Sequence, residues 1–282
     1  MGEDGHTKIR SALIQRPHLC IVQSDLLHAR INLSTIEAKF LHRIFQFFRT
    51  ILILGDGNSS SSAKPVQVNL PTTNKALDVV AGWDHTCALL DNYKVWCWGQ
   101  NSDGQLGDGT TSDRAKPVTT DLTKSGTVAA LAAGGHTTCA VAKTSGTVWC
   151  WGSNNWGQLG DGTQTDRDTP TPIPGFSAIA LAVGHNHACA ATIGLQVRCW
   201  GYNQRGQLGD GTQNNRDTPT PVPGLFGAVH LTAGASHTCA IDASNAVWCW
   251  GGNYSLQLGK GPPYHELSAV QVQGPLKVDR LE

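Results

Sequence analysis

From residue 79 onward, short apolar runs are cut by polar or glycine-bearing turns, and within the runs the residues alternate with a period of two. Thr86, Cys87, Ala88 and Leu89 are followed by Asp91-Asn92-Tyr93 and then by Val95, Trp96, Cys97 and Trp98, which predicts strand, tight turn, strand. The hairpin returns three times. Trp96-Cys97-Trp98-Gly99 recurs as Trp149-Cys150-Trp151-Gly152, Arg198-Cys199-Trp200-Gly201 and Trp248-Cys249-Trp250-Gly251, with the glycines 53, 49 and 50 residues apart. A fixed period near fifty marks a repeat architecture. Each hairpin is preceded by a further apolar strand, over residues 79–81, 128–133, 179–183 and 229–233. Proline-rich connections at 65–75, 117–124, 170–175 and 219–224 separate the units, and an Asp-Gly turn and a Pro-Val strand complete each one, about four strands in all.

The turn positions fix a register. Centring the first turn on Asn92 sets Cys87 opposite Cys97; centring on Gly194 and Ser244 sets Cys189 opposite Cys199 and Cys239 opposite Cys249. The second unit, one residue longer, sets Cys139 opposite Cys150 around Thr144-Ser145-Gly146. Directly opposed residues in an antiparallel pair have backbones roughly 4.5 to 5.5 Å apart, a span a disulfide can bridge. Each staple would close a loop of about ten residues and contribute roughly 2 to 3 kcal/mol at most.

Residues 1–54 have a different character: no glycine lies between Gly5 and Gly55, tryptophan is absent, and four of the six phenylalanines are here. Ser34-Thr35-Ile36-Glu37 has capping-box spacing. Ile36, Phe40, Leu41, Ile44, Phe45, Phe48 and Ile51 then recur at helical spacing opposite Lys39, Arg43, Gln46 and Arg49, which predicts a basic amphipathic helix. It is too interrupted by charge to span a bilayer. A helix covering an edge of the repeat array and a surface- or partner-binding helix both fit. Leu54-Gly55-Asp56-Gly57 with Ala63-Lys64-Pro65-Val66 repeats the phrase Leu106-Gly107-Asp108-Gly109 with Ala115-Lys116-Pro117-Val118, so the repeat domain is placed at 55–282. The 1–54 segment stands where the rest of a preceding repeat would be, and a segment not native to the array is the third reading of it.

The phrases 81–89, 95–101 and 104–109 together resemble the regulator of chromosome condensation repeat. The resemblance extends over roughly residues 55–275 and includes the disulfide-containing bacterial extracytoplasmic members. It implies an all-β, β-propeller-like array of four-stranded blades, with about four complete repeats and fragments at both ends. The resemblance implies a ring of usually seven blades, so four leave the propeller unclosed and expose two sheet edges. The expectations are an arc covered by the N-terminal helix, a ring closed by self-association with another copy, or a truncated product.

Of 282 residues, 15 % are charged and 40 % hydrophobic, with net charge zero, so the chain lacks the basic surface that nucleic acid requires and the composition of a disordered segment. Nine cysteines, eight of them paired with Cys20 left over, favour an oxidising compartment, extracytoplasmic or secreted, although residues 1–30 hold no ordinary signal peptide; the alternative is cytoplasmic. His85 with Cys87, His187 with Cys189 and His237 with Cys239, each with its facing cysteine, have ligand chemistry for zinc. The second unit carries Thr137 there, with His136 displaced by one, so the reading is disulfide plus a backbone-bonding histidine, and no metal or cofactor is assigned. Each Leu-Gly-Asp-Gly-Thr phrase offers one carboxylate, short of a calcium loop. Asp108 with Arg114, Asp161 with Arg167 and Asp210 with Arg216 share one spacing and predict loop-bracing ion pairs.

No nucleophile, base and orienting acid recur together, so the chain is read as no enzyme. Positions kept in every copy hold blades together, whereas positions that vary at the same place in a loop are free to specify a partner. One such set is Trp83 and Asp84, Gly135 and His136, His185 and Asn186, Ala235 and Ser236; the other is Ser102 and Asp103, Asn155 and Trp156, Gln204 and Arg205, Tyr254 and Ser255. From these, Trp83, Asp84, His136, Trp156, His185, Asn186, Arg205 and Tyr254 are assigned to a protein partner; ordinary loop drift is the competing account. The expected function is a non-catalytic protein-binding module. A guanine-nucleotide exchange factor for a small GTPase, which the resemblance implies as a precedent, and a metal-binding repeat protein are the alternatives.

Overall fold

Among the described residues the period-two runs form sixteen strands, and each of the four repeats folds into one antiparallel four-stranded sheet. The computed structural model describes residues 54–272 except 59, 71–72 and 123–125; the helix expected at 34–51, Cys20 and most of the 1–54 segment lie outside the described residues. The first blade is β1 (Ala76–Ala81), β2 (His85–Leu90), β3 (Val95–Gly99) and β4 (Arg114–Thr119). The second is β5 (Val128–Gly134), β6 (Thr137–Ala142), β7 (Thr147–Gly152) and β8 (Arg167–Ser177). The third is β9 (Ala180–Val183), β10 (His187–Ala191), β11 (Gln196–Gly201) and β12 (Arg216–Phe226). The fourth is β13 (Ala228–Ala233), β14 (His237–Asp242), β15 (Val247–Gly252) and β16 (His265–Gln271). Strands follow one another in each sheet in chain order, and β1 packs on β5, β5 on β9 and β9 on β13.

The central hairpins close as the turns dictate. Tyr93, Leu195 and Asn245 take φ near +60°, and Gly146 does the same in the longer second turn, the left-handed conformation a tight hairpin needs. The register is Cys87↔Cys97, Cys139↔Cys150, Cys189↔Cys199 and Cys239↔Cys249, and all four pairs are disulfides with Cα atoms 4.1 Å apart. The expected ion pairs are present, Arg114–Asp108 at 2.7 Å and Arg167–Asp161 and Arg216–Asp210 at 2.8 Å, and in the fourth blade Lys260 and Glu266 take their place.

Two expectations are corrected. The stretches 117–124, 170–175 and 219–224 are not simply connections: Pro117, Pro170, Pro172, Pro174, Pro219, Pro221 and Pro223 lie in the outermost strands β4, β8 and β12. An outermost strand pairs on one side only, so a missing N–H can point away from the ladder. Two of the histidines, secondly, bond a side chain rather than the backbone. His85 Nε2 meets Thr138 Oγ1 of the next blade at 2.8 Å, and His187 Nε2 meets Thr238 Oγ1 at 2.9 Å. Each threonine hydroxyl donates to a carbonyl, Gln105 or Gln207, so the ring nitrogen must be the donor and the neutral Nε2–H tautomer follows.

Blades cohere through these contacts and through tryptophan. Trp151, Trp200 and Trp250 donate their indole N–H to the carbonyls of Gln105, Gln158 and Gln207 in the preceding blade, at 2.9 to 3.0 Å. Each ring lies over a glycine: a Cβ on Gly107, Gly160 or Gly209 would come within 2.8 Å of the indole. Replacing Thr238 by Val keeps volume but leaves the buried His187 N–H without an acceptor, so Thr238→Val is expected to cost about 1 to 3 kcal/mol. A urea midpoint shift shows it; a change within about 0.5 kcal/mol, the scatter of surface substitutions, would contradict the role given to this bond.

Candidate partner-binding face

The β1–β2-type turns and the β3–β4-type loops both emerge at the same end of each sheet, so the two variable sets meet on one face of the array. In the first blade Gly82 N donates to His85 O of its own turn, and Trp83 N donates to Gly135 O of the second blade, which fixes the backbone carrying the indole against its neighbours. Trp83 is 58 % exposed yet stacks on His185 of the third blade with ring centroids 3.7 Å apart and planes at 26°. His136 meets the same indole edge-on at 5.9 Å, and its Nδ1 lies 2.6 Å from Asp103 Oδ2. Burial, and then the charge of nearby His136, lowers the pKa of His185, so its stack on Trp83 is that of a neutral ring at neutral pH.

A second cluster adjoins the first. Trp156 meets Tyr202 edge-on at 5.0 Å, Arg205 Nη1 donates to Ser236 Oγ at 3.2 Å, and the guanidinium lies 5.2 Å from the ring of Tyr254, which stacks on Tyr264 at 5.5 Å. Between the clusters is a cleft of about 270 Å³ lined by Trp156, His185, Asn186, Tyr202, Arg205 and Ser236 among others. Of the residues assigned from sequence, Trp156, His185, Asn186 and Arg205 share this cleft; Trp83 borders it through His185, with His136 behind Trp83, and Tyr254 borders it through Arg205. Asp84 contributes its backbone, its carbonyl accepting from Gln100 N at 2.7 Å. Tyr202 and Tyr264 were not among the assigned residues. Tyr202 directly follows the Trp-Gly step, where Gln100, Ser153 and Gly252 stand in the other copies, so comparing that position would have found it.

Chemically the face offers flat aromatic area, the Arg205 guanidinium, the Asp103 carboxylate and neutral hydrogen-bonding groups. His136 and Asp103 form a dyad, and the Ser102 hydroxyl donates at 3.3 Å to the same Asp103 Oδ2 that meets the His136 ring. The eight cysteines weighed as zinc ligands are disulfides, as expected, and among the described residues no three His, Cys, Asp or Glu gather at a metal-binding distance.

Comparison with known proteins agrees with the blades. The RCC1-like domain family matches residues 50–281. The ultraviolet-B receptor UVR8 of Arabidopsis thaliana is 34 % identical over 107 residues, 38 % of this chain and 24 % of UVR8. Human WBSCR16 superposes with a TM-score of 0.70 at 24 % identity, over 80 % of this chain and 62 % of its own. Yeast RCC1 (Prp20), solved bound to Kap60, gives 0.64 at 25 % identity, over 72 % and 50 %. The chain therefore spans about a quarter of UVR8 and about half to three fifths of these solved neighbours.

Proposed function

Because the chain belongs to the RCC1-like domain family, we propose that it is a non-catalytic protein-binding module whose partner docks on the face carrying Trp83, His136, Trp156, His185, Arg205 and Tyr254. The observation that carries the reading is the convergence of aromatic rings and a guanidinium, drawn from all four repeats, around one cleft. Protein interfaces concentrate their binding energy in such Trp, Tyr and Arg anchors. Yeast RCC1 seen with Kap60 is a precedent for a protein partner. The four disulfides support an oxidising compartment, extracytoplasmic or secreted, as the place where the module works.

The test is affinity capture with the immobilised protein, followed by titration of the captured partner against variants. Trp83→Ala and Arg205→Ala are each expected to weaken binding about 30-fold, the 2 kcal/mol of an anchor residue, while stability stays within about 0.5 kcal/mol. Lys143→Ala, at the opposite, hairpin-turn end where Lys143 lies over the Tyr93 ring, is expected to leave binding unchanged. A partner that ignores both face variants but responds to Lys143→Ala would overturn the reading. Family membership supports one second reading, exchange of guanine nucleotide on a small GTPase. Accelerated nucleotide release by the purified protein would favour it over simple binding.

A further inference from the structure

The Trp-Cys-Trp-Gly phrase opens with Trp96, Trp149 and Trp248 in three blades and with Arg198 in the third blade. The exchange is not a shift of register: Trp149 pairs with Pro172 of β8 and Arg198 with Pro221 of β12, so the two side chains leave equivalent places in their sheets. Trp149 packs against the buried cluster that holds Leu106, Leu122 and Leu131 between the first and second blades. Trp248 packs against the cluster that holds Val222 and Leu225 between the third and fourth. Between the second and third blades, Ile173 and Phe176 stand where Val222 and Leu225 stand, and no indole completes the packing from β11. A cleft of about 250 Å³ opens there instead, lined by Ile173, Phe176 and Arg198 among others.

The walls of this cleft are apolar and its charge is unmatched. Ile173 and Pro174 come from β8 and Pro219 from β12, while Phe176 meets the buried Trp200 edge-on at 5.6 Å. Arg198 is half-buried, and among the described residues its one hydrogen bond runs from Nη1 to Pro219 O at 3.4 Å. Arg114, Arg167 and Arg216 each hold an aspartate, whereas Arg198 forms no ion pair among the described residues. A guanidinium carries five N–H donors in a planar fork, so most of this one is free. Asp161 also lines the cleft, but its carboxylate is engaged: Oδ2 accepts from Arg167 Nη2 at 2.8 Å and Oδ1 from the Thr163 hydroxyl at 2.7 Å. One unspent positive charge therefore stands beside an apolar slot.

We propose that this cleft binds a small carboxylate with an apolar body, of the arylalkanoic acid kind. The carboxylate takes the free donors of Arg198, and the body lies against Ile173, Phe176 and Pro219 in the space that an indole fills at the neighbouring boundaries. A guanidinium fork matches a carboxylate bidentately, and such charge-assisted pairs are among the stronger hydrogen bonds. Apolar walls with few, placed polar groups are the usual make-up of a small-molecule site. Inorganic phosphate suits the cleft less, because Arg198 is the single cationic residue lining it and the apolar walls would go uncovered. The cleft shares no lining residue with the one on the partner-binding face, so the proposal does not rest on that reading.

Titration calorimetry of the full chain with phenylacetate is expected to show saturable binding at a single site, with Kd about 1 mM, the strength of a fragment of that size. Phenylacetamide, which keeps the shape and loses the charge, is expected to bind about tenfold more weakly or worse, and Arg198→Gln to weaken phenylacetate by the same factor. Arg198→Trp restores the residue of the other three blades and fills the cleft, so it is expected to abolish binding and to raise the urea midpoint. No saturable binding of phenylacetate, equal binding of the amide, binding indifferent to Arg198→Gln, or a preference for inorganic phosphate would each overturn the proposal. If Arg198→Trp fails to fold, the amide and Arg198→Gln, whose circular dichroism is expected to match the parent, decide it.

Discussion

Trp200→Ala is expected to lower stability by about 3 to 5 kcal/mol, the cost of emptying a buried tryptophan site. Trp200 is fully buried between the second and third blades, meets Phe176 edge-on at 5.6 Å, and donates to Gln158 O at 2.9 Å. Truncation opens a cavity among Leu159, Ile173 and Leu181 and strands the glutamine carbonyl, which adds to the loss. Because stability in a repeat array is a sum of blade and boundary contributions, weakening the middle boundary should also split the unfolding transition. Urea unfolding followed by circular dichroism tests both statements. A single transition shifted by less than about 1 kcal/mol, below the whole range for large-to-small core changes, would show that the boundary is not built around this ring.

Acid is expected to act on the same boundaries. Burial lowers the pKa of His85 to about 3, helped by the charge of His136, and burial also lowers that of His187 to about 3, helped by His237 and His185. Above the ordinary value of 6.5 the rings are neutral whether the chain is folded or not. Below it the unfolded chain binds protons that the native rings refuse, so stability falls as pH falls and the loss saturates near pH 3. Each ring removes about 1.4 kcal/mol per pH unit in that window. The partly buried Asp108, Asp161 and Asp210 add a loss of the same sign at lower pH: burial pushes these carboxyls up, but the threonine and arginine hydrogen bonds outweigh it and hold them below 3.8. Urea midpoints at pH 7.5, 6 and 5 are therefore expected to decline steadily, as for groups with the ordinary histidine value in the unfolded chain. The double variant His85→Gln, His187→Gln is expected to flatten the decline, and a wild-type midpoint that does not move between pH 7.5 and 5 would contradict the burial of neutral rings.

The blades were legible in the sequence because they are local. A hairpin of about ten residues carries its own register, and the opposed cysteines checked it at four independent places. The Asp–Arg braces, six residues apart, were legible for the same reason. Contacts between blades were not. His85 and Thr138 are 53 residues apart and His187 and Thr238 are 51, and no spacing rule links a histidine to a hydroxyl across a whole repeat. The prolines misled for a physical reason, since a residue that ends an interior strand is tolerated on the outermost one. On the partner face, the variable positions themselves were legible, because repeats align them. The stack of Trp83 on His185 was not, because it joins the first blade to the third and depends on how the blades curve.

The account turns on whether the four hairpins are stapled, since that property separates an oxidised binding module from a thiol-rich or metal-bound one. The deciding measurement is the intact mass of the protein, purified without reductant, before and after reduction, with alkylation in both states and metal content recorded on the same sample. The account predicts no alkylation of Cys87, Cys97, Cys139, Cys150, Cys189, Cys199, Cys239 or Cys249 until reductant is added, and alkylation of all eight afterwards. Alkylation of these eight in the unreduced protein, or zinc bound in proportion to the repeats, would contradict it.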